Sequence, residues 1–145
     1  PPILLGSAYN VSIFPSLEMQ MQSDRRIAPR VNCEIAAEVH MLFGDSINVQ
    51  IVDLSISGCQ IVGDEKLMGL KSVASGAPME FNLHFGLDGC PIHTFCRVVY
   101  QRRERQSRCA MGLRWSSIPE HQSDIVQRFV NERLATGMAQ SSARA

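Results

Sequence analysis

The stretch NVQIVDLSISGCQIV, residues 48–62, carries the pattern that decides the fold. It contains two runs rich in β-branched residues, 48–54 and 59–62, separated by the segment Ser-Ile-Ser-Gly at 55–58. β-Branched side chains favour strands, whereas serine and glycine favour the turns between strands. The pattern therefore predicts two strands joined by a short turn.

Four more predicted strands lie on either side of this stretch. Residues 33–41 alternate apolar and polar side chains with a period of two, which is typical of a half-buried strand. The other β-rich segments are residues 79–85, 92–102 and 108–115. Six short strands with hairpin-length links predict a mainly β fold, an antiparallel barrel or sandwich.

The pattern changes after Trp115. Ser117 followed three positions later by Glu120 predicts a capping box at the start of a helix. Apolar residues then recur at helical spacing as far as Leu134, and Gly137 predicts the end of the helix. We expect one amphipathic helix that covers an opening or an edge of the barrel.

Length and composition fit one domain with two tails. The chain has 145 residues, of which 45% are hydrophobic, enough for one ordinary core. We expect the domain over residues 25–135, a flexible C-terminal tail over 136–145 and an N-terminal extension over 1–24. Because the chain begins with proline rather than methionine, part of that extension could be non-native.

Charge and cysteine usage exclude several classes of protein. The formal net charge is zero, which argues against a general nucleic-acid binder, while arginine heavily outnumbers lysine and suits a small anionic ligand. The five cysteines lack the spacing of a disulfide framework, so we expect reduced thiols. The sequence shows neither a secretory signal nor an apolar run of roughly 20 residues. We therefore expect a cytoplasmic protein without membrane insertion.

The sequence carries no strong catalytic or metal-binding signature. Cys90, His93 and Cys96 have the spacing of metal ligands, but in a strand His93 points away from Cys96. The histidines form no local nucleophile signature with any cysteine, and no phosphate-binding glycine loop is present. We predict a protein that is not an enzyme and has no cofactor or metal.

The first candidate binding motif is DRRIAPR, residues 24–30, which contains the spacing Arg26-x-x-x-Arg30. Pro29 disfavours the helical conformation for Ala28, so we expect an extended or turning segment that can wrap around a ligand. A solvated basic tail is the alternative interpretation, because this spacing arises by chance in an arginine-rich chain.

The second candidate motif is DLSISG, residues 53–58, between two predicted strands. Asp53 can accept two hydrogen bonds from the N1–H and N2–H edge of a guanine, and Ser55 can donate or accept beside it. Gly58 permits a turn and the close approach of a ligand. An ordinary Asp/Ser turn with a glycine at positive φ is the alternative.

The two motifs together resemble the signature of the PilZ domain family, which is Arg-x-x-x-Arg in an N-terminal loop followed by Asp/Asn-x-Ser-x-x-Gly on the barrel. Both occur here without substitution and in that order. The resemblance covers about residues 25–135. It implies a six-stranded antiparallel PilZ-type β-barrel with a C-terminal α-helix, and cyclic di-GMP, a bacterial second messenger, as the ligand.

The resemblance also implies a role for each residue of the motifs. Arg26 and Arg30 grip phosphates and guanines, Asp53 and Ser55 read a guanine edge, and Gly58 lets the ligand approach. Arginine can bind a phosphate bidentately and stack on a purine, and a carboxylate matches the donor edge of guanine that adenine lacks. Discrimination for guanine should therefore depend most on the carboxylate.

Three further features extend the resemblance. Arg25 is similar to the extra arginine of members that bind an intercalated pair of cyclic di-GMP molecules, which leaves one or two ligands per domain open. Tyr100 is similar to an aromatic that stacks on a guanine, with a partly buried strand tyrosine as the alternative. The arginine-rich hairpin over residues 97–108 is a solvated turn, a partner-binding surface or a means of steering the anionic ligand.

The function that the resemblance implies is a receptor that changes conformation on binding cyclic di-GMP and regulates an unidentified partner protein. Its output would be motility, exopolysaccharide production or virulence. One alternative is a PilZ-like interaction adaptor that does not bind the nucleotide. Another, an OB-like barrel for single-stranded nucleic acid, would need aromatic platforms along a basic groove, and this neutral chain is poor in aromatic residues.

Overall fold

The computed structural model describes residues 28–41, 44–70 and 76–144. The elements in chain order are β1 (Val31–His40), β2 (Ser46–Leu54), β3 (Gly58–Gly63), α1 (Glu65–Met68), β4 (Glu80–Leu87), β5 (Cys90–Arg105), β6 (Arg108–Ser117) and α2 (Glu120–Arg144). The predicted extension over residues 1–24 and the predicted ligand residues Arg25 and Arg26 lie outside the described residues.

The six strands form a closed barrel in the order β1-β2-β3-β6-β5-β4. All pairs are antiparallel, and β1 closes the barrel by pairing with both β2 and β4. Closure gives each strand two hydrogen-bonded neighbours and so removes the open edges of a flat sheet. The prediction of a six-stranded antiparallel barrel with a C-terminal helix is confirmed.

Apolar side chains from all six strands fill the barrel. Ile51, Ile61 and Leu83 are completely buried, and Val126 and Val130 of α2 are each only 1% exposed. Burial of an aliphatic side chain of this size contributes about 1.5–3 kcal/mol. The helix therefore supplies part of the core, as a covering element should.

The turns are tighter than the sequence predicted. Only Asp88 and Gly89 separate β4 from β5, and their φ angles are 50° and 79°. Two successive residues with positive φ form the hairpin turn whose twist matches that of the flanking strands. At the other end of β5, the strand continues past its predicted end at residue 102 as far as Arg105, so only residues 106 and 107 form the turn.

Both predicted ends of the C-terminal helix are wrong. Ser117 is the last residue of β6 and the helix begins at Glu120, so these two residues do not form a capping box. The helix continues through Gly137 to Arg144. A glycine inside a helix costs only about 1 kcal/mol relative to alanine, so a single one does not end a long helix.

The short helix α1 was not predicted. It is four residues long, and the carboxylate of Asp64 accepts a hydrogen bond from the Lys66 N–H at its first turn. Leu67 in this helix is fully buried and packs into the barrel core. A single turn is too short to show a helical period in the sequence.

Candidate functional site

The two candidate motifs meet where β1 begins and β2 ends. The antiparallel register pairs Val31 with Leu54 and Asn32 with Asp53. Arg30, just before β1, donates from Nη1 to the Oδ1 atom of Asp53 at 2.6 Å. The fold therefore brings an arginine of the first motif against the acid of the second.

This ion pair is accessible to a ligand. The Arg30 side chain is 52% exposed and that of Asp53 is 18% exposed. A solvent-exposed ion pair contributes only about 0–1 kcal/mol to stability, so opening it costs little. The guanidinium is then available for a phosphate, and the carboxylate for a donor edge such as that of guanine.

Ser55 holds the turn between β2 and β3 from inside. It is only 2% exposed, and its Oγ accepts hydrogen bonds from the backbone N–H groups of Ser57 and Gly58 at 3.2 and 3.1 Å. The same hydroxyl lies 3.2 Å from the Gly58 carbonyl, to which it can donate. Its burial does not support the predicted direct contact of Ser55 with a guanine, and the structure places the side chain beneath the site.

Gly58 is required by the packing of β3 against β6. A Cβ atom at this position would lie 2.0 Å from the carbonyl oxygen of Leu113. Gly58 is not among the glycines with positive φ, so the interpretation as a positive-φ turn glycine is wrong. Close contact between two backbones explains the glycine without reference to a ligand.

A row of residues continues from this pair across the outside of the barrel. Asn32, Asp53, Gln60, Gly112 and Tyr100 are successive cross-strand partners on β1, β2, β3, β6 and β5. Their strand neighbours on β3 and β6 fill the core, so the row faces outward. We call this set the outer row. It places Tyr100 three strands away from Asp53 on the same surface.

Tyr100 is packed on this surface. Its hydroxyl donates to Gln60 Oε1 at 2.9 Å, and its ring lies so close to Gly112 that an added Cβ would be 2.2 Å from the ring. The guanidinium carbon of Arg102 lies over the ring, 5.2 Å from its centroid. Tyr100 is a partly buried strand tyrosine, and its stacking on a guanine stays a prediction; a base that stacks on the ring has to displace Arg102.

Gln60 was not among the predicted site residues. It lies between the buried residues Cys59 and Ile61, so strand alternation alone predicts that it faces outward. Its position beside Gly112 could not be inferred, because nothing in the sequence indicates that β3 pairs with β6 instead of β4. Arg114 was missed for the same reason, and it is an exposed residue opposite Gly58.

The tip of the arginine-rich hairpin is exposed throughout. Glu104 accepts hydrogen bonds from Arg102 at 3.2 Å and from Arg108 at 3.0 Å. Every residue from 102 to 108 is exposed, which agrees with the interpretation as a solvated turn. A partner-binding role for this hairpin stays a prediction.

A separate concave surface lies on β1, β2, β4 and β5. Its cavity of about 670 Å³ is lined in part by Glu38, His84 and His93. The ring of His84 stacks on those of His40 and His93, and the centroids are 4.1 Å apart in each pair. Among the residues that the structure describes, no three metal-ligating side chains are arranged to hold an ion. His93 is exposed and Cys96 is buried, so the two point in opposite directions, as strand alternation predicts.

The five cysteines are free thiols, and burial disfavours the ionisation of Cys33, Cys59 and Cys96. Burial raises the pKa of Cys33 to about 11 and that of Cys96 to about 12. The fully buried Cys59 thiol also has its pKa raised well above the usual value, mainly by burial. These thiols are protonated at neutral pH and are poor nucleophiles.

None of the helices in the described ranges is both long enough and apolar enough to cross a membrane.

Comparison with curated protein sequences gives no match. Comparison with solved structures gives several similar folds. They include the inhibitor of motility MotI/DgrA of Bacillus subtilis, with a TM-score of 0.64 and 18% identity over 85% of this chain and 57% of that chain.

Two isolated PilZ domains are also similar. The PilZ domain of Escherichia coli YcgR with c-di-GMP has a TM-score of 0.58 and 11% identity, over 81% of this chain and 98% of that chain. The PilZ domain of CeSA from a cellulose-synthesizing bacterium has a TM-score of 0.50 and 23% identity, over 72% and 96%. Identities this low establish similarity of fold, and the chain spans only 57% of MotI/DgrA.

The family model of the PilZ domain matches residues 24–132, which include both motifs, all six strands and the first half of α2. The closed barrel and its C-terminal helix agree with that match. The chain belongs to the PilZ domain family.

Proposed function

We propose that this protein is a non-enzymatic receptor for cyclic di-GMP that regulates a partner protein. The observation that carries the proposal is the 2.6 Å contact between Arg30 and Asp53, which joins the two motifs on the outer surface of the barrel. The similar E. coli domain was solved with this nucleotide bound, which supports the choice of ligand class.

In this proposal the ligand replaces the ion pair. Arg30 turns to a phosphate or a guanine, and the carboxylate of Asp53 accepts the N1–H and N2–H groups of guanine. Arg26 adds a second guanidinium, and Arg25 decides whether one molecule or an intercalated pair binds. Tyr100 is available for stacking once its ring is uncovered.

Binding reaches the partner through the start of β1. Arg133 of α2 donates from Nη1 to the backbone carbonyl of Asn32 at 3.2 Å, two residues after Arg30. When the ligand engages Arg30, this contact transmits the change to the helix. The names of the similar proteins suggest motility or cellulose production as the output. The free thiols favour the bacterial cytoplasm as the location.

A specific observation favours one alternative, a PilZ-like adaptor that binds no nucleotide. Ser55 and Gly58, two residues of the second motif, have complete structural explanations in the turn and in the packing against β6. Their presence is therefore compatible with a barrel that keeps its motif for folding alone. Arg30 and Asp53 distinguish the two proposals, because stability requires neither of them.

Calorimetric titration of cyclic di-GMP into the wild type, Arg30→Ala and Asp53→Ala tests the proposal, with GTP and cyclic di-AMP as control ligands. We expect saturable binding of cyclic di-GMP to the wild type and a loss of at least tenfold in both variants, since each lost charged contact is worth about 1.5–3 kcal/mol. A stoichiometry near two would indicate the intercalated pair. A flat trace from folded wild type would leave the adaptor.

A further inference from the structure

The end of the β5–β6 hairpin, residues 102–108 with the sequence RRERQSR, concentrates positive charge; we call it the hairpin tip. It holds four arginines and one glutamate, and so a formal net charge of +3. The whole chain is formally neutral, so its remaining residues together carry −3. We infer that the hairpin tip binds the phosphate headgroups of an anionic membrane surface, without insertion into the bilayer. This binding does not require cyclic di-GMP.

The hairpin tip extends beyond the neighbouring strands of the barrel. β3 pairs with β6 only as far as Cys109, and β4 pairs with β5 only as far as Arg97. The residues of the tip therefore have strand partners only within the hairpin, and each of them is exposed. A projecting element of this kind can touch a flat surface before the rest of the barrel does.

The short helix α1 fixes the base of the hairpin on both of its strands. The side-chain amide of Gln101 on β5 donates to the backbone carbonyls of Leu67 and Met68, at 3.0 Å each. The thiol of Cys109 on β6 donates to the sulfur of Met68 at 3.3 Å. Because an element that is held in place loses little conformational entropy on binding, the arginines of the tip are presented ready for a surface.

The cations of the hairpin tip are suited to phosphate. All four are arginines, and a guanidinium can bind phosphate oxygens bidentately. Arg102 and Arg108 share the carboxylate of Glu104, at 3.2 and 3.0 Å. Exposed ion pairs of this kind contribute little to stability, so either arginine can exchange the carboxylate for a headgroup at little cost.

The composition of the hairpin tip favours a lipid surface over a protein or a nucleic acid. None of its seven residues is apolar or aromatic, whereas the buried centre of a protein interface is largely apolar. A protein interface also buries roughly 800 Å² on each partner, more than the end of a two-stranded ribbon offers. A nucleic-acid binder needs a wider basic surface than this neutral chain provides.

Attraction to an anionic leaflet needs no complementary pocket, because it grows with each arginine near the surface. The charge of −3 on the rest of the chain adds a direction to this attraction. The leaflet repels that part of the molecule and attracts the tip, so the protein is oriented with the hairpin toward the membrane.

Sedimentation with sucrose-loaded vesicles tests the inference on the full chain without nucleotide. Vesicles of equal parts phosphatidylglycerol and phosphatidylcholine supply the anionic surface, and vesicles of phosphatidylcholine alone supply the neutral one. We expect the wild type to bind the anionic vesicles only, and to be released at high salt, because salt screens exposed charges. Arg103→Ala and Arg105→Ala should each lower the partition coefficient about fivefold.

Arg128→Ala is the matched control. Arg128 is an exposed arginine on α2, and α2 contacts the opposite end of β5 through Gln122 and His93. We expect its partition coefficient to stay within about twofold of that of the wild type, because distant exposed charges are screened. Arg103 and Arg105 do not bond to Glu104, so neither test variant leaves that carboxylate without its partners. Thermal melting checks that each variant is folded.

Four results would overturn the inference. The wild type could fail to sediment with anionic vesicles, or could sediment equally with the neutral ones. Arg128→Ala could lose as much binding as the two tip variants, which would mean attraction by total charge. Binding to a fluorescently labelled DNA duplex, but to neither kind of vesicle, would assign the tip to nucleic acid. Because no sample contains cyclic di-GMP, these outcomes are independent of the proposed function.

Discussion

Asp53 and Ser55 are two residues apart in one motif, yet they belong to different regions of the molecule. Asp53 lies on the outside of the barrel in an exposed ion pair, whereas Ser55 and Gly58 lie beneath it in hydrogen bonds and backbone contacts. The Arg30–Asp53 ion pair of the outer region can open at little cost in stability, whereas the contacts of Ser55 and Gly58 in the inner region cannot. A signature of six residues thus combines the proposed ligand contact with the turn that presents it.

The largest effect is expected from Gly58→Ala, which would disrupt the packing of β3 against β6. The new Cβ would lie 2.0 Å from a backbone oxygen of β6, so the strands would have to separate. We expect a loss of about 3 kcal/mol or more in the free energy of unfolding, measured by urea denaturation. The control is Gly86→Ala, where the nearest atom to a Cβ lies 3.9 Å away. Equal stability of the two variants would contradict the packing argument.

Ser55→Ala should have the next largest effect on stability. It removes the acceptor for the backbone N–H groups of Ser57 and Gly58, of which the hydrogen bond from Gly58 is buried. An unsatisfied buried group costs about 1–3 kcal/mol, so we expect a loss in that range in the same denaturation measurement. If Ser55→Ala were as stable as wild type and still lost nucleotide affinity, Ser55 would be a ligand contact after all.

Asp53→Asn tests the outer region, where we expect affinity to change more than stability. We expect a change of less than about 1 kcal/mol in stability, because an exposed ion pair contributes little. Affinity for cyclic di-GMP should fall at least tenfold, because an amide presents one acceptor and one donor group where the carboxylate presents two acceptors. Denaturation and calorimetry on the same sample separate the two quantities. A large loss of stability would show that Asp53 belongs to the inner region.

The smallest effect is expected on the histidine surface, which shares no residue with the motifs. Burial and then the neighbouring His40 and His93 lower the pKa of His84, while Glu38 raises it. The folded state therefore binds a proton less readily than the unfolded state, and stability falls as the pH drops below the ordinary histidine pKa of about 6.5. We expect a shallow decrease between pH 7.5 and 5.5, because the His84 ring is only partly buried.

His84→Gln provides the control for this pH dependence. The variant should show a flatter decline over the same range, and its affinity for cyclic di-GMP at pH 7.5 should equal that of the wild type. Thermal unfolding at a series of pH values measures the slope. An identical slope in the two proteins would show that other groups cause the decline.

Much of the fold could be predicted, because its signals are local. The period of two in residues 33–41 and the helical period after Trp115 each result from side-chain directions within one element. Element ends were less predictable. Whether Gly137 ends a helix, or Ser117 caps one, depends on small energies that the rest of the structure can outweigh.

The sequence by itself determined the strands, the helix and the presence of Arg30 and Asp53, because composition and short-range spacing encode them. Tertiary structure alone decided that Ser55 is buried and that Gly58 packs against the backbone of β6. It also decided that Gln60 and Tyr100 lie on the same outer surface as Asp53. The physical reason is the strand order of the closed barrel. β3 pairs with β6, so residues 46 to 56 positions apart become neighbours, and a linear pattern carries no record of that pairing.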